Sequence, residues 1–145
     1  VLDPRPESYK KFLGVYEGFR WLMIGFLVLL YVTTTLFALG YPLSIGKIIR
    51  FVLGLLLAFM GNYFGKIRHN YTFGIKTPWT LASEEVWNKT HRISGPLWVV
   101  VGLIWMLSIF IAEKLAFAIA MGSLMIVTIY GYAYSYVLFQ KLKNQ

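Results

Sequence analysis

Four apolar runs, at 19–39, 45–64, 96–112 and 115–139, fill most of this 145-residue chain and constrain its fold more than any other feature. Each approaches or exceeds the ~20 residues that cross a bilayer core, and the fourth is long enough to cross with tilt or reach into the interface. Backbone amides cannot stay unpaired in lipid, so each run is predicted to be a helix. A membrane barrel would alternate polar and apolar residues at period two, and these runs do not. Composition agrees: 58% of residues are hydrophobic and 14% charged, against about 25% charged in soluble domains. The expected fold class is an all-α membrane protein with four transmembrane helices. They would form a single domain over 19–145, behind a short N-terminal segment, 1–18.

Four crossings place the N-terminal segment, the central loop 65–95 and the C-terminus on one side. That side carries Arg5, Lys10, Lys11, Arg20, Lys66, Arg68, Lys76, Lys89, Arg92, Lys141 and Lys143; the other has Lys47, Arg50 and Lys114. Eleven basic residues against three predict a cytosolic loop and cytosolic termini in a bacterial plasma membrane. The same bias accounts for the net charge of +8 without invoking nucleic acid as a direct partner. Arg50, just inside the second run, is expected to snorkel to the outer headgroups. The outer links are short: Gly40 and Pro42 read as a helix stop and turn, and Ala112-Glu113-Lys114 as a hairpin-length connection. The chain has no cysteine, which excludes disulfide and thiolate chemistry.

The loop holds most of the remaining polar chemistry, including both histidines. Asn70 and Gly74 suit turn conformations. Thr77 followed by Pro78 reads as a helix cap and first helical residue. Glu84 and Glu85 then fall in early helical turns, where acidic groups suit the dipole. Glu85 and Lys89 stand in the favourable i,i+4 order, and Trp87 and His91 share another face. Gly95-Pro96 is expected to end this segment. The prediction is a short amphipathic helix over 83–92 at the interface, with Trp79 and Trp87 as anchors.

These residues carry a resemblance. Gly61-Asn62-Tyr63, Asn70-Tyr71, Gly74-Ile75-Lys76-Thr77-Pro78-Trp79-Thr80-Leu81, Ser83-Glu84-Glu85-Val86-Trp87 and Lys89-Thr90-His91-Arg92 resemble the signature of the SdpI family of bacterial membrane proteins. Asp3-Pro4-Arg5 with Tyr9-Lys10-Lys11-Phe12 resembles the segment that joins the family's N-terminal region to its C-terminal membrane part. Gly65 and His69 stand where related loops have proline, and Lys76 where arginine is usual. The chain opens on Val1 with no initiator Met, consistent with a missing upstream membrane region. The resemblance implies immunity to a secreted toxic peptide, in some members coupled to a cytosolic regulatory protein. Membrane lipids are the further partner.

Sharper chemistry finds little support. Glu84, Asn88 and His91 recur at i, i+4, i+7, but match no zinc spacing. Ser83 with His91 lacks a placed acid and oxyanion donors. No catalytic residue, metal site or cofactor is expected, and the protein is read as no enzyme. A transporter subunit is disfavoured because no acidic residue lies at membrane depth; Glu113 sits at a helix end. Small residues at Gly61 and Gly65, and at Ala118 and Gly122, have spacing that permits close helix contact. Tyr130/Tyr134 and Tyr132/Tyr136 form two i,i+4 pairs suited to packing and an interfacial belt. Thr33, Thr34 and Thr35 are expected to bond back to their own helix. Trp79, Glu84, Glu85, Trp87, His91 and Arg92 are expected to gather into one hydrogen-bonded cluster near Asn62 and Asn70. Two functions compete: a bundle that binds or neutralises a membrane-active peptide, and a membrane-tethered platform whose loop captures a soluble regulator.

Overall fold

Helix α1 spans Leu13–Ala38 and ends where Gly40, at φ +90°, lets the chain turn. The amide of Tyr41 reaches the carbonyl of Leu36 (3.1 Å) and that of Gly40 the carbonyl of Phe37 (3.0 Å). These two bonds form a Schellman cap, so the expected stop is built from a left-handed glycine. Helix α2, Ile45–Phe64, returns to the loop end of the bundle. A short helix α3, Pro78–Ala82, lies within the loop. Helix α4 runs Glu84–Leu107 and finishes in a 3-10 turn, Ser108–Phe110; helix α5, Glu113–Lys143, comes back beside it. This computed structural model describes residues 13–71 and 73–144, so the opening Asp3-Pro4-Arg5 and Tyr9-Lys10-Lys11-Phe12 motifs lie outside the described residues. Every regular element among the described residues is helical, and α1, α2, α4 and α5 are long and apolar enough to cross a membrane. The chain is a multi-pass membrane protein.

Helix α1 begins at Leu13, inside the expected N-terminal segment, and α5 runs from Glu113 to Lys143, past both expected ends, but the largest difference lies between the loop and the third crossing. The helix over 83–92 and the third crossing are a single element, α4, with Pro96 inside it. Proline removes one backbone bond and crowds the preceding turn, about 3 kcal/mol in a helix interior. The helix continues because its buried stripe stays in phase across the proline: Trp87, His91, Ser94, Gly95, Val101, Gly102 and Trp105 all face inward, while Pro96 is exposed. Packing on both sides of Pro96 therefore holds one helical axis.

That packing is closest along α2. A methyl group on Gly61 would stand 2.6 Å from the carbonyl oxygen of Gly95, and one on Gly102 would stand 2.5 Å from that of Gly54. Two glycines seven residues apart on each antiparallel helix thus meet backbone to backbone. The sequence pairing proposed for Gly61 was with Gly65, but a methyl on Gly65 or Gly122 would meet nothing within 4 Å. Ala118 is exposed; α5 instead buries Ala116 and Ala120. Around Trp105 and Val101 of α4, Ala120 and Val127 of α5 form the apolar core, with Leu53 and Leu57 of α2 beside them. The Trp105 indole N–H donates to the Ala120 carbonyl at 2.9 Å, which satisfies a polar atom that lipid would not. Thr34 bonds back to the carbonyls of Leu30 (2.8 Å) and Tyr31 (3.0 Å), as expected of a helical threonine.

Candidate functional site

The loop end of the bundle is organised by Trp87, which is wholly buried rather than an interfacial anchor. Its indole N–H donates to the Ile67 carbonyl at 2.9 Å, holding the strand of loop that leaves α2. His91, one turn later, stacks on the same ring with centroids 4.2 Å apart, and His69 lies 5.1 Å from it. The amide of Ile75 donates to His91 Nε2 at 2.9 Å. That leaves the ring proton on Nδ1, which donates to the Trp87 carbonyl at 2.9 Å. Both imidazole nitrogens are therefore committed inside the protein, and His91 acts as a clasp for the loop.

Gly74 makes the clasp possible. Its φ is +126°, and a methyl there would stand 2.5 Å from His91 Nε2 and 2.9 Å from the Trp87 ring. Asn70 shapes the preceding turn: its Oδ1 accepts from the Phe73 amide at 2.7 Å, while Nδ2 donates to the Arg68 carbonyl at 2.7 Å. The expected helix start at Thr77-Pro78 is present, with a reciprocal cap between Thr77 and Thr80. Thr80 also donates to the Ile75 carbonyl at 2.8 Å. Thr77 Oγ1 lies 3.1 Å from Ser135 Oγ, and Ser135 donates to the Tyr132 carbonyl at 2.7 Å, so Thr77 fastens the loop to α5.

The expected single cluster is divided. Asn70, Thr77, Thr80, Trp87, Thr90 and His91 are buried, with Gly74 packed among them. Asn62, Lys76, Pro78, Glu84, Glu85 and Arg92 are exposed. Glu84 and Glu85 begin α4 behind the Ser83 cap, and Glu85 pairs outward with Lys89 at 2.7 Å. They turn outward because charged carboxylates placed on the Trp87–His91 face would be desolvated without a cation to pair. Trp79 stands apart, edge-on to Tyr132 and Tyr136 with each centroid 4.9 Å away. Tyr130 and Tyr134 form the other pair, stacked at 6.1 Å. Asn62 and Arg92 share a shallow groove over Gly95 and Pro96 rather than joining the buried network.

Two further groups on α4, Ser94 and Trp98, escaped sequence reasoning and continue the line of Thr90 from the loop motif. Thr90 Oγ1, Ser94 Oγ and Trp98 Nε1, at spacings of four, are buried without a hydrogen-bond partner among the described residues. The period-four spacing is visible in the sequence, but Ser94 closes the loop beside Gly95-Pro96 and Trp98 falls within the third apolar run. Trp98 forms part of the wall of a cavity of about 490 Å³ bounded by Phe64, Gly74, Thr77, Gly131 and Tyr132. Such a cavity suits an apolar group that brings a hydrogen-bond acceptor.

The chain is similar to known proteins in this region. Residues 66–135, from the loop through α4 and most of α5, match the SdpI/YfhL protein family. The immunity protein SdpI of Bacillus subtilis (strain 168) is 34% identical over 116 residues, covering 77% of this chain and 56% of that protein. The chain thus spans just over half the length of the curated relative it matches. No solved structure matches it. The matched segment contains the Trp87–His91 clasp, the Thr77 cap and the Tyr130–Tyr134 pair, and with them the chain belongs to the SdpI/YfhL protein family.

Proposed function

We propose that this chain is the membrane part of an immunity protein that protects a bacterial cell from a secreted, membrane-active killing peptide. The observation that carries the reading is the 34% identity to an immunity protein across both halves of the bundle. The protein acts without catalysis, by binding or neutralising the peptide at the bilayer. The loop and both termini lie in the cytosol of a plasma-membrane protein, supported by eleven basic residues on that side against three on the other. Expressing the chain in peptide-sensitive cells tests the function: survival at doses that kill the vector control is expected. Normal membrane insertion with no gain in survival would reject it for this chain.

A second reading, capture of a soluble regulator by the loop, is favoured by one observation. Lys76, Glu84, Glu85 and Arg92 are exposed together at the loop end, where a soluble partner can reach them. Replacing Glu84, Glu85 and Arg92 by alanine would abolish regulator capture and leave peptide resistance intact.

A further inference from the structure

Arg50 does not snorkel. It is 8% exposed, near the beginning of α2 at the end of the bundle opposite the loop. Its Nε is buried with no partner among the described residues. Its ion-pair partner is Glu113, at the start of α5, with Nη1 to Oε1 at 3.7 Å. That separation neutralises charge but is too long for the 2.7–2.9 Å of a charge-assisted hydrogen bond. Glu113 is 78% exposed, so little packing holds it there. A guanidinium with a buried, unmade donor in a membrane helix is a functional feature by default.

The surroundings suit an anion. Ser44, Gly46, Lys47, Arg50 and Glu113 line a cavity of about 220 Å³ at the first turn of α2. Ser44 is the N-cap of that helix, yet its side chain makes no capping bond. The positive end of a 20-residue helix and a buried guanidinium thus meet at one small volume, with Lys47 in its wall. A methyl on Gly46 would stand 2.6 Å from Glu113 Oε1, so the glycine bares backbone where that carboxylate rests. The protein's own side chain already marks the position of a carboxylate.

We infer that this is a carboxylate-binding site for an apolar peptide, with Glu113 as an internal occupant that yields to the ligand. The inference rests on the immunity reading and its outward placement of this end. Among anions, a peptide carboxylate is favoured because the group the cavity already receives is a carboxylate on a short tether. Displacing Glu113 lets the incoming group approach Arg50 closely enough to accept from Nε, which the tethered carboxylate does not reach.

The test uses the whole chain, ¹⁵N-labelled at arginine, in phosphatidylcholine nanodiscs. The Arg50 Nε–H resonance is followed while acetylated trileucine with a free carboxylate is added, and separately its C-terminal amide. The acid should shift the resonance saturably and the amide should not. E113Q, which keeps Arg50 and removes the competitor, should bind the acid about tenfold more tightly. R50K should retain the helical circular dichroism spectrum and lose acid-specific binding, read from the acid's own resonances. No acid-specific shift, or an E113Q affinity no higher than wild type, would overturn the site. A shift produced by adding phosphatidylglycerol and unmoved by peptide would assign it to lipid phosphate instead. If the titration fails while cells expressing the chain still survive, the site falls and the immunity reading stands; failed survival with an intact titration does the reverse.

Discussion

The α2–α4 seam and helix α1 are both apolar enough for a bilayer, but they are held in different ways. In the seam, Gly54 and Gly61 meet Gly102 and Gly95 with no side chain between the backbones. Helix α1 reaches the rest of the bundle through side chains: Phe59 near Gly18, and Phe19 on Phe73 with ring centroids 4.9 Å apart. Only 6% of its most apolar stretch is buried, against 33% for α4. A cleft of about 610 Å³ separates it from α2, walled by Trp21, Phe26, Phe51 and Leu55. In lipid there is no hydrophobic drive to close such a cleft, so helices associate where shape lets backbones touch. The seam supplies that shape and carries the loop; α1 presents its apolar surface to lipid.

The largest test of this contrast exchanges one hydrogen for a methyl group in each region. Gly102→Ala places a carbon 2.5 Å from the Ala58 amide nitrogen and the Gly54 carbonyl oxygen, both backbone. The helices must part, and a loss of about 3 kcal/mol is expected in reversible unfolding monitored by circular dichroism. Gly25→Ala on α1 meets nothing within 4 Å and improves helix propensity, so stability should hold or rise. Equal losses at both positions would break the contrast.

A smaller effect belongs to the loop clasp. His91→Ala removes the acceptor for the Ile75 amide and the stack on Trp87, and should destabilise by about 2 kcal/mol. Limited proteolysis should then cut near Gly74 while α2 and α4 remain intact. His91→Gln, which keeps an acceptor, should lose less; a variant as sensitive as alanine would mean that the stack alone matters.

Which parts were legible follows the range of the interactions. The Gly40 stop, the Asn70 and Gly74 turns, the Thr77-Pro78 helix start and the Glu85–Lys89 pair depend on neighbours within a few residues. Sequence chemistry reaches that far. Pro96 was read as a boundary because its local preference is to end a helix; the stripe that overrides it becomes visible only once α2 is in place. Arg50 reads as a snorkelling residue because it stands just inside the second run, whereas its partner Glu113 is brought up by α5 from 63 positions away. The loop signature looked like one cluster because its residues are contiguous, whereas a helix turns Trp87 and His91 inward and Glu84, Glu85 and Arg92 outward.

The remaining predictions sharpen the division within the loop. Trp79→Ala removes two edge-on contacts with Tyr132 and Tyr136 from a half-buried position. A loss of about 1 kcal/mol is expected in the same unfolding measurement. Smallest of all, replacing Glu84, Glu85 and Arg92 by alanine should leave the unfolding temperature unchanged, because these side chains are exposed. A clear drop would show that the outward residues also hold the fold.

The loop is a cap clasped to α4, and the Ile75 amide reports on that most directly. Hydrogen exchange at this one N–H, measured by NMR in nanodiscs, should be as slow as at core amides of α4, because its bond to His91 Nε2 is 2.9 Å and Ile75 is half-buried. In His91→Ala it should speed by orders of magnitude while α4 amides are unchanged. An Ile75 amide that exchanges rapidly in the wild-type protein would contradict the clasp and make the loop a free recognition segment.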